Sequence, residues 1–446
     1  MIDITSIDTP GLGDRSYLIT DGQSAVVVDP QRDIDRYLAL AQEKNVQIEA
    51  ICETHMHNDY VSGGLPLSRV TGAALYVNEA DPIAFEANKI TEGDEIKVGS
   101  LTIKVIATPG HTFNHLAYAV VDNGETKAVF TGGSLLYGST GRTDLISQET
   151  ANPLAHHQYH SAHKLAELGE AVEIYPTHGF GSFCSATQTT GDASTIANEK
   201  KTNPVFLLDE DKFVSETLAN LVPYPRYYAH MGYFNLNGGL PADLSAPKEV
   251  DSQELANRLK GGEWVVDVRS RVAYAKGHLA GSVGIEMGSL FVNYFGWTIP
   301  WGSRITLVGD NPEQILDAHR EIVRIGLDTD AQFHGNFSEV GEISSYDVVD
   351  FEGLAKALEE GKDLAILDVR QKNEWESSHI EGSINIPIQD VQQRINEIPD
   401  KPIWVHCAGG FRASVAASFL DRKKLPVVAI DDSFDNASKT SLKLVS

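Results

Sequence analysis

Thr54-His55-Met56-His57-Asn58-Asp59-Tyr60 follows an apolar run, Ile48 to Cys52, and leads into Val61-Ser62-Gly63-Gly64. The apolar run reads as a short buried strand, and the glycines mark a turn beyond it. Two histidines one residue apart at a strand end can face one metal if the chain turns there. Asp59 adds a carboxylate two positions on. Such groups are costly to bury side by side without a shared partner, so the cluster reads as a candidate metal centre. With 15 histidines in 446 residues, one HxH pair arises easily by chance. The rest of the chain has to decide the matter.

Working outward, residues 1 to about 235 alternate β-type runs with helical stretches. Ser16 to Thr20 and Ala25 to Asp29 read as strands joined at Asp21-Gly22, and Ile34 to Lys44 has helical spacing. The strand Leu101 to Ala107 ends in Thr108-Pro109-Gly110-His111. Leu116 to Val121 and Ala128 to Phe130 form a pair across Asp122-Asn123-Gly124. Ala155 to Leu168 reads as a helix, and Glu173 to Tyr175 as the strand before Pro176-Thr177-His178-Gly179. His55, His57, His111 and His178 therefore all stand just past strand ends, where rigid scaffolds carry their sites. His156, His157, His160 and His163 fall on the helix and read as a solvated face.

The chain is too long for one core, and 42% apolar with 22% charged residues is ordinary for a soluble globular protein. A net charge of −26, from 36 basic and 62 acidic residues, argues against a nucleic-acid partner. No apolar run reaches membrane-spanning length, and the N-terminus lacks the pattern of a signal peptide. Cys52, Cys184 and Cys407 are too few and too far apart for a disulfide framework, and they fit free thiols in a reducing cytoplasm.

Residues 236–248 contain Gly238-Gly239, two prolines and no periodicity, and read as a linker. An internal repeat follows. Asp267-Val268-Arg269 recurs as Asp368-Val369-Arg370, Tyr274 as Trp375, His278 as His379, and Gly281-Ser282 as Gly382-Ser383, always 101 positions on. One register shared by so many positions implies two related domains, over 249–341 and 342–446. Each alternates strands and helices, as in a doubly wound parallel sheet.

HxHxD, Pro109-Gly110-His111-Thr112 and Pro176-Thr177-His178-Gly179 together resemble the metallo-β-lactamase superfamily. The resemblance implies an αβ/βα sandwich over the first 235 residues, with metal at the sheet ends. Two departures stand out. Tyr60 occupies the place of the superfamily's final histidine in HxHxDH, and Phe130-Thr131-Gly132-Gly133 replaces Phe-Thr-Gly-Asp. The bridging carboxylate and a second-metal ligand are thus missing, which leaves a one-metal site. His55, His57 and His111 are expected to supply nitrogens, with Asp59 and His178 as further ligands or supporting groups. Gly138 to Asp144, with Gly141-Arg142-Thr143-Asp144, looks like the persulfide dioxygenase and glyoxalase II branch. That branch implies one Fe(II) per chain, with zinc as the alternative. Its iron ligands are two histidines and an aspartate, matching His55, His111 and position 133. With glycine there, His57 or Asp59 takes the third place, or the reaction differs. Cys184, soon after His178, is a candidate to bind or carry sulfur, or else a small packing residue. Cys52 reads as core.

Ile403-Trp404-Val405 is a short strand, followed by His406-Cys407-Ala408-Gly409-Gly410-Phe411-Arg412 and a helical run from Ala413 to Leu420. A cysteine in a glycine-rich loop that opens a helix faces amide N–H groups, which favour the thiolate. Gly409 and Gly410 shape that loop, and Arg412 adds a cation for an anionic donor. This Cys-x4-Arg loop, with Asp368-Val369-Arg370 and His379-Ile380-Glu381-Gly382-Ser383, resembles the rhodanese family, which passes sulfane sulfur through a persulfide on the loop cysteine. In the first copy Gly309-Asp310-Asn311-Pro312 fills the equivalent loop. That copy has no cysteine and is expected to be an inactive spacer or docking surface.

The whole chain looks like the bacterial fusions of a metallo-β-lactamase-fold persulfide dioxygenase with a rhodanese pair. The resemblance implies small-molecule partners: thiols, persulfides, thiosulfate or sulfite. A homo-oligomer is compatible with it. Two other readings stand beside the sulfur enzyme: a thioester hydrolase of glyoxalase II type, and a sulfurtransferase with a dead metal domain.

Overall fold

The computed structural model describes residues 2–189, 191–239 and 241–446. Met1, Thr190 and Leu240, the last within the expected linker, lie outside it. The chain forms two compact units. One comprises residues up to Leu244 with Val323–Gly326, and the other Ser245–Ile322 with Leu327–Ser446.

The first unit is built on two six-stranded sheets. One runs in chain order through Asp3–Thr9, Asp14–Thr20, Ser24–Val28, Gln47–Cys52, Ala74–Asn78 and Asn88–Ile90. The other has the order Ser194–Thr195, Glu173–Pro176, Glu125–Gly132, Leu116–Asp122, Leu101–Ala107 and Glu95–Val98. Alternation along the strands decides how they face. Tyr17, Val26, Ala50, Val105, Tyr118 and Phe130 point into one buried cluster between the sheets. The intervening residues Leu18, Val27 and Ile51 pack outward with Tyr37 and Leu67, from the helices Asp35–Lys44 and Gly64–Thr71. On the far side, Ala119 and Val129 pack with Ala155, Ala162 and Leu165 of the helix Gln148–Leu165. The result is the four-layer αβ/βα sandwich. That long helix begins seven residues before the expected Ala155, because Ser147 caps it by accepting the Thr150 N–H. Pro153 lies in its second turn.

The second unit carries two parallel sheets. Their orders are Val283–Gly284, Trp264–Asp267, Ile305–Gly309, Ala331–His334, and Asp347–Val349, Val427–Ile430, Ile403–His406, Ala365–Asp368, Ile384–Asn385. The 101-residue offset carries over to elements: Trp264–Asp267 matches Ala365–Asp368, and Arg271–Lys276 matches Lys372–Ser377. The repeated residues do structural work in both copies. Arg269 Nη2 donates to Asp267 Oδ2 at 2.7 Å and to the Gly277 carbonyl at 2.9 Å. Arg370 does the same with Asp368 at 2.6 Å and Ser378 at 2.7 Å. Tyr274 stacks on His278 at 3.8 Å, and Trp375 on His379 at 3.7 Å. Among the described residues no helix is long and apolar enough to cross a membrane.

Candidate functional site

One strand end of the first sheet and two of the second bring the histidines together. His55 follows Gln47–Cys52, His111 follows Leu101–Ala107, and His178 follows Glu173–Pro176. Ring centroids are 4.1 Å apart for His55 and His57, 4.8 Å for His55 and His111, and 5.1 Å for His111 and His178. All four rings and Asp59 are buried.

Hydrogen bonds fix which nitrogen of each ring carries its lone pair inward. His111 Nδ1 lies 2.7 Å from the Arg142 carbonyl, which can only accept. His178 Nδ1 donates to Asp14 Oδ1 at 2.9 Å. Thr54 Oγ1 gives its proton to Asp29 Oδ2 at 2.7 Å, so it accepts from His55 Nδ1 at 2.9 Å. Each of these rings therefore turns a free Nε2 to the site. His57 is reversed. Its Nε2 faces Tyr60 Oη at 3.0 Å, Asp29 Oδ1 at 3.3 Å and Glu53 Oε2 at 3.4 Å, which leaves Nδ1. The four remaining nitrogens, Nε2 of His55, His111 and His178 and Nδ1 of His57, are buried with no hydrogen-bond partner. Orphaned buried imidazole nitrogens are expensive unless something fills the gap, and a transition-metal ion fits this donor set. Donor atoms of His55, His57 and His178 lie within 4.8 Å of one another, as do those of His111, His178 and Cys184.

Both sequence departures have a physical counterpart. Tyr60 stacks on His57 at 4.3 Å and accepts its Nε2–H, so it orients a neighbouring ring. At Gly133, a Cβ would stand 2.3 Å from His111 Cδ2. The His111 ring fills the space that a side chain at position 133 would need.

The charge on these rings follows their neighbours. Burial pushes His111 down to about 3, with the His178 charge adding to the effect. Burial alone would lower His178 as well, but Asp59 and Asp14 override it and hold it up at about 9. Asp29 and Glu53 likewise raise His57 to about 10 against its burial. A metal bound through these nitrogens thus competes with protons. Burial, with Asp59 and Asp14 nearby, pushes the Cys184 thiol well above its ordinary value. The helical histidines stay apart from this cluster: His156 and His160 reach Glu210 at 2.7 and 3.0 Å.

The cysteine loop stands at the end of Ile403–His406 and opens the helix Phe411–Arg422. Cys407 Sγ accepts the Gly410 N–H at 3.1 Å. Gly410 has φ +89°, and a Cβ there would strike Asp431 at 1.8 Å, so only glycine fits. Gly409 is exposed beside it. Arg412 donates to both carboxylate oxygens of Glu374, at 2.6 and 2.8 Å. The first repeat also reaches this loop. Its helix Phe291–Thr298 is buried throughout, and Tyr294 lies 5.4 Å from the Phe411 ring, within electrostatic range of Cys407 and Arg412.

A family model described as the metallo-beta-lactamase superfamily matches residues 10–178, and one described as a rhodanese-like domain matches 350–439. The human mitochondrial persulfide dioxygenase ETHE1 is 30% identical over 217 residues, spanning 47% of this chain and 78% of its own. The chain belongs to the metallo-beta-lactamase superfamily. It also carries a rhodanese-like domain at its C-terminal end. A hydroxyacylglutathione hydrolase from Pseudomonas entomophila is 28% identical over 209 residues, 42% of this chain and 78% of that protein. A solved metallo-beta-lactamase from Staphylococcus aureus superposes with a TM-score of 0.67 at 26% identity, covering 74% of this chain and all but 1% of that one (99% covered).

Within this superfamily member several site residues escaped the sequence reading. Asp29, at φ +51°, accepts the Thr54 N–H and hydroxyl and the Thr177 hydroxyl, and so ties the two sheets together under His57. His115 accepts the Gly133 N–H on Nε2 at 2.9 Å and bonds Thr108 through Nδ1 at 2.8 Å, which leaves it no free nitrogen. Arg142 is buried, paired with Asp144 at 2.7 Å, and holds His111 through its carbonyl. Gly141-Arg142-Thr143-Asp144 reads in sequence as a family signature, but its support of His111 depends on contacts that no local pattern encodes.

Proposed function

We propose that this chain processes sulfane sulfur at two sites: a mononuclear metal centre acting on low-molecular-weight persulfides, and Cys407 passing sulfur between small molecules. The observation that carries the reading is the pairing, in one chain, of four buried imidazole nitrogens without partners and a loop cysteine whose sulfur accepts a backbone N–H. The likeness to a persulfide dioxygenase and to a rhodanese-like domain points both sites at the same element. One ion per chain, Fe(II) with zinc as the alternative, fits the nitrogen-rich set of His55, His57, His111 and His178 with Asp59 beside it. When bound, Fe(II) supplies redox chemistry with O2, and a dioxygenase reaction would consume one O2 and one water per persulfide and release a thiol and sulfite. The residues around it hold the rings, exclude water and set where protons sit.

At the second site the Cys407 thiolate attacks the outer sulfur of thiosulfate. An S–S bond forms on Cys407 as the S–S bond of thiosulfate breaks, and sulfite leaves with the electron pair. Cyanide or a thiolate then takes the outer sulfur and restores the thiolate. Backbone amides, Gly410 among them, stabilise negative charge in the loop. Arg412 is held by Glu374, which places its guanidinium at the loop's edge and tempers its charge. The Cys407→Ser chain is expected to lose thiosulfate:cyanide transfer entirely while keeping its metal content. Transfer at the native rate would remove Cys407 from the reaction. A thioester-hydrolase reading draws on the hydroxyacylglutathione hydrolase relatives and on Asp59 with His178, which keep part of a second metal site. It predicts zinc and thioester cleavage in place of O2 uptake.

A further inference from the structure

We propose that Cys184 is itself a metal ligand, and that its thiolate joins His111 Nε2 and His178 Nε2 to supply the anionic donor that Gly133 cannot. The inference rests on the metal-centre reading above and goes beyond it. It assigns a ligand outside the histidine motifs and gives Cys184 a role other than sulfur carrier.

The three donor atoms lie within 4.8 Å of one another, and all three residues are fully buried. The two imidazole nitrogens have no hydrogen-bond partner, and each ring is pinned through its other nitrogen. The sulfur is placed as firmly as the rings. Arg142 N–H donates to the Cys184 carbonyl at 2.8 Å, while the Arg142 carbonyl receives His111 Nδ1–H at 2.7 Å. One buried residue thus sets the spacing between the cysteine and the histidine. The Arg142 guanidinium adds a bond to the Phe183 carbonyl at 3.1 Å, and Gly141 bridges to Ser185. The Cys184 N–H is tied to Ser182 Oγ at 3.2 Å. A cysteine that only filled space would not need its backbone braced from three sides against a ligand histidine.

Charge points the same way. Neutral imidazoles alone leave the charge of a divalent ion uncompensated in a buried site, so an anionic ligand is favoured; Asp59 and the Cys184 thiolate both stand beside His178. Position 133 is closed by the His111 ring. The thiol meets the Tyr228 hydroxyl at 3.7 Å and the Asp59 carboxylate, and metal binding exchanges these contacts for the S–metal bond. Binding replaces the S–H bond with an S–metal bond and releases the proton to solvent. Nitrogen and thiolate together select a borderline-soft divalent ion, zinc, cobalt or iron(II).

The test uses the full chain reconstituted with Co(II) alone. A thiolate ligand gives an intense near-ultraviolet sulfur-to-cobalt charge-transfer band, which nitrogen and oxygen ligands do not. The band is expected in the wild type and in Cys407→Ser, and it should vanish in Cys184→Ser while cobalt stays bound more weakly. Should Cys184→Ser fail to fold, X-ray absorption on the zinc-loaded wild type still decides, with one sulfur expected at about 2.3 Å. Metal bound with no sulfur scatterer, or a band that survives Cys184→Ser or disappears in Cys407→Ser, overturns this assignment and leaves the histidine centre standing. A wild type that binds neither ion overturns both.

Discussion

The His111 ring stands where the superfamily's bridging aspartate would project, and this one exchange of space governs the site. Restoring the carboxylate is therefore expected to harm the protein. In Gly133→Asp the new Cβ, 2.3 Å from His111 Cδ2, must push the ring from its bond to the Arg142 carbonyl. Overpacking of this kind costs about 1–3 kcal/mol. Thermal melting with metal analysis checks it: the variant should melt lower and hold less metal per chain than the wild type. A variant as stable as the wild type and carrying two ions would show that the pocket had room all along. HxHxD, His111, His178 and the cysteine loop were legible because each local pattern puts metal- or anion-binding groups just past an apolar strand. The rest was not, for a physical reason. Asp29, Asp14 and Arg142 act through partners between 25 and 164 positions away, and His115 looks in sequence like any other histidine near a strand.

Elements show how the repeat diverged while its frame stayed constant. Asp-Val-Arg and the aromatic–histidine stack fasten the same short helix to the same strand in both copies, which is why the 101-residue register could be read from sequence. The loops after Ile305–Gly309 and Ile403–His406 are free of that constraint, and only the second carries a cysteine. There the helix Lys372–Ser377 lends Glu374 to Arg412 and also caps its own start, since Glu374 Oε2 accepts the Gln371 N–H at 2.9 Å. Burial would raise the Glu374 carboxyl, but Arg412 outweighs it and holds it below its ordinary 4.5. With the folded value depressed, the pair's stabilisation is complete above about pH 4.5 and fades as pH falls through the folded value. Wild type should therefore exceed Glu374→Gln in stability by on the order of 1 kcal/mol near neutral pH. The two melting curves should converge in acid, and a gap constant from pH 7 to pH 3 would contradict the pairing. Tyr294 was not legible at this scale, because its place beside Phe411 comes from packing between the copies.

For the whole molecule, the two compact units predict two separable responses to metal removal. An ion bound only by the folded first unit stabilises that unit, by about 2.7 kcal/mol at a free concentration a hundredfold above its dissociation constant. Chelation followed by calorimetry should lower the melting transition that contains the histidine cluster and leave the rhodanese-like transition in place. Re-addition of one equivalent should restore it, while an unchanged trace would argue against a bound metal. The domain order was readable because each unit carries its own motif set. The grouping of Val323–Gly326 with the first unit was not, since nothing in those four residues marks it. The most direct test of the central claim is O2 consumption by the iron-loaded full chain supplied with glutathione persulfide. One O2 should be taken up, and one sulfite released, per persulfide consumed. Persulfide left intact with no O2 uptake, by a chain holding one iron, would contradict it.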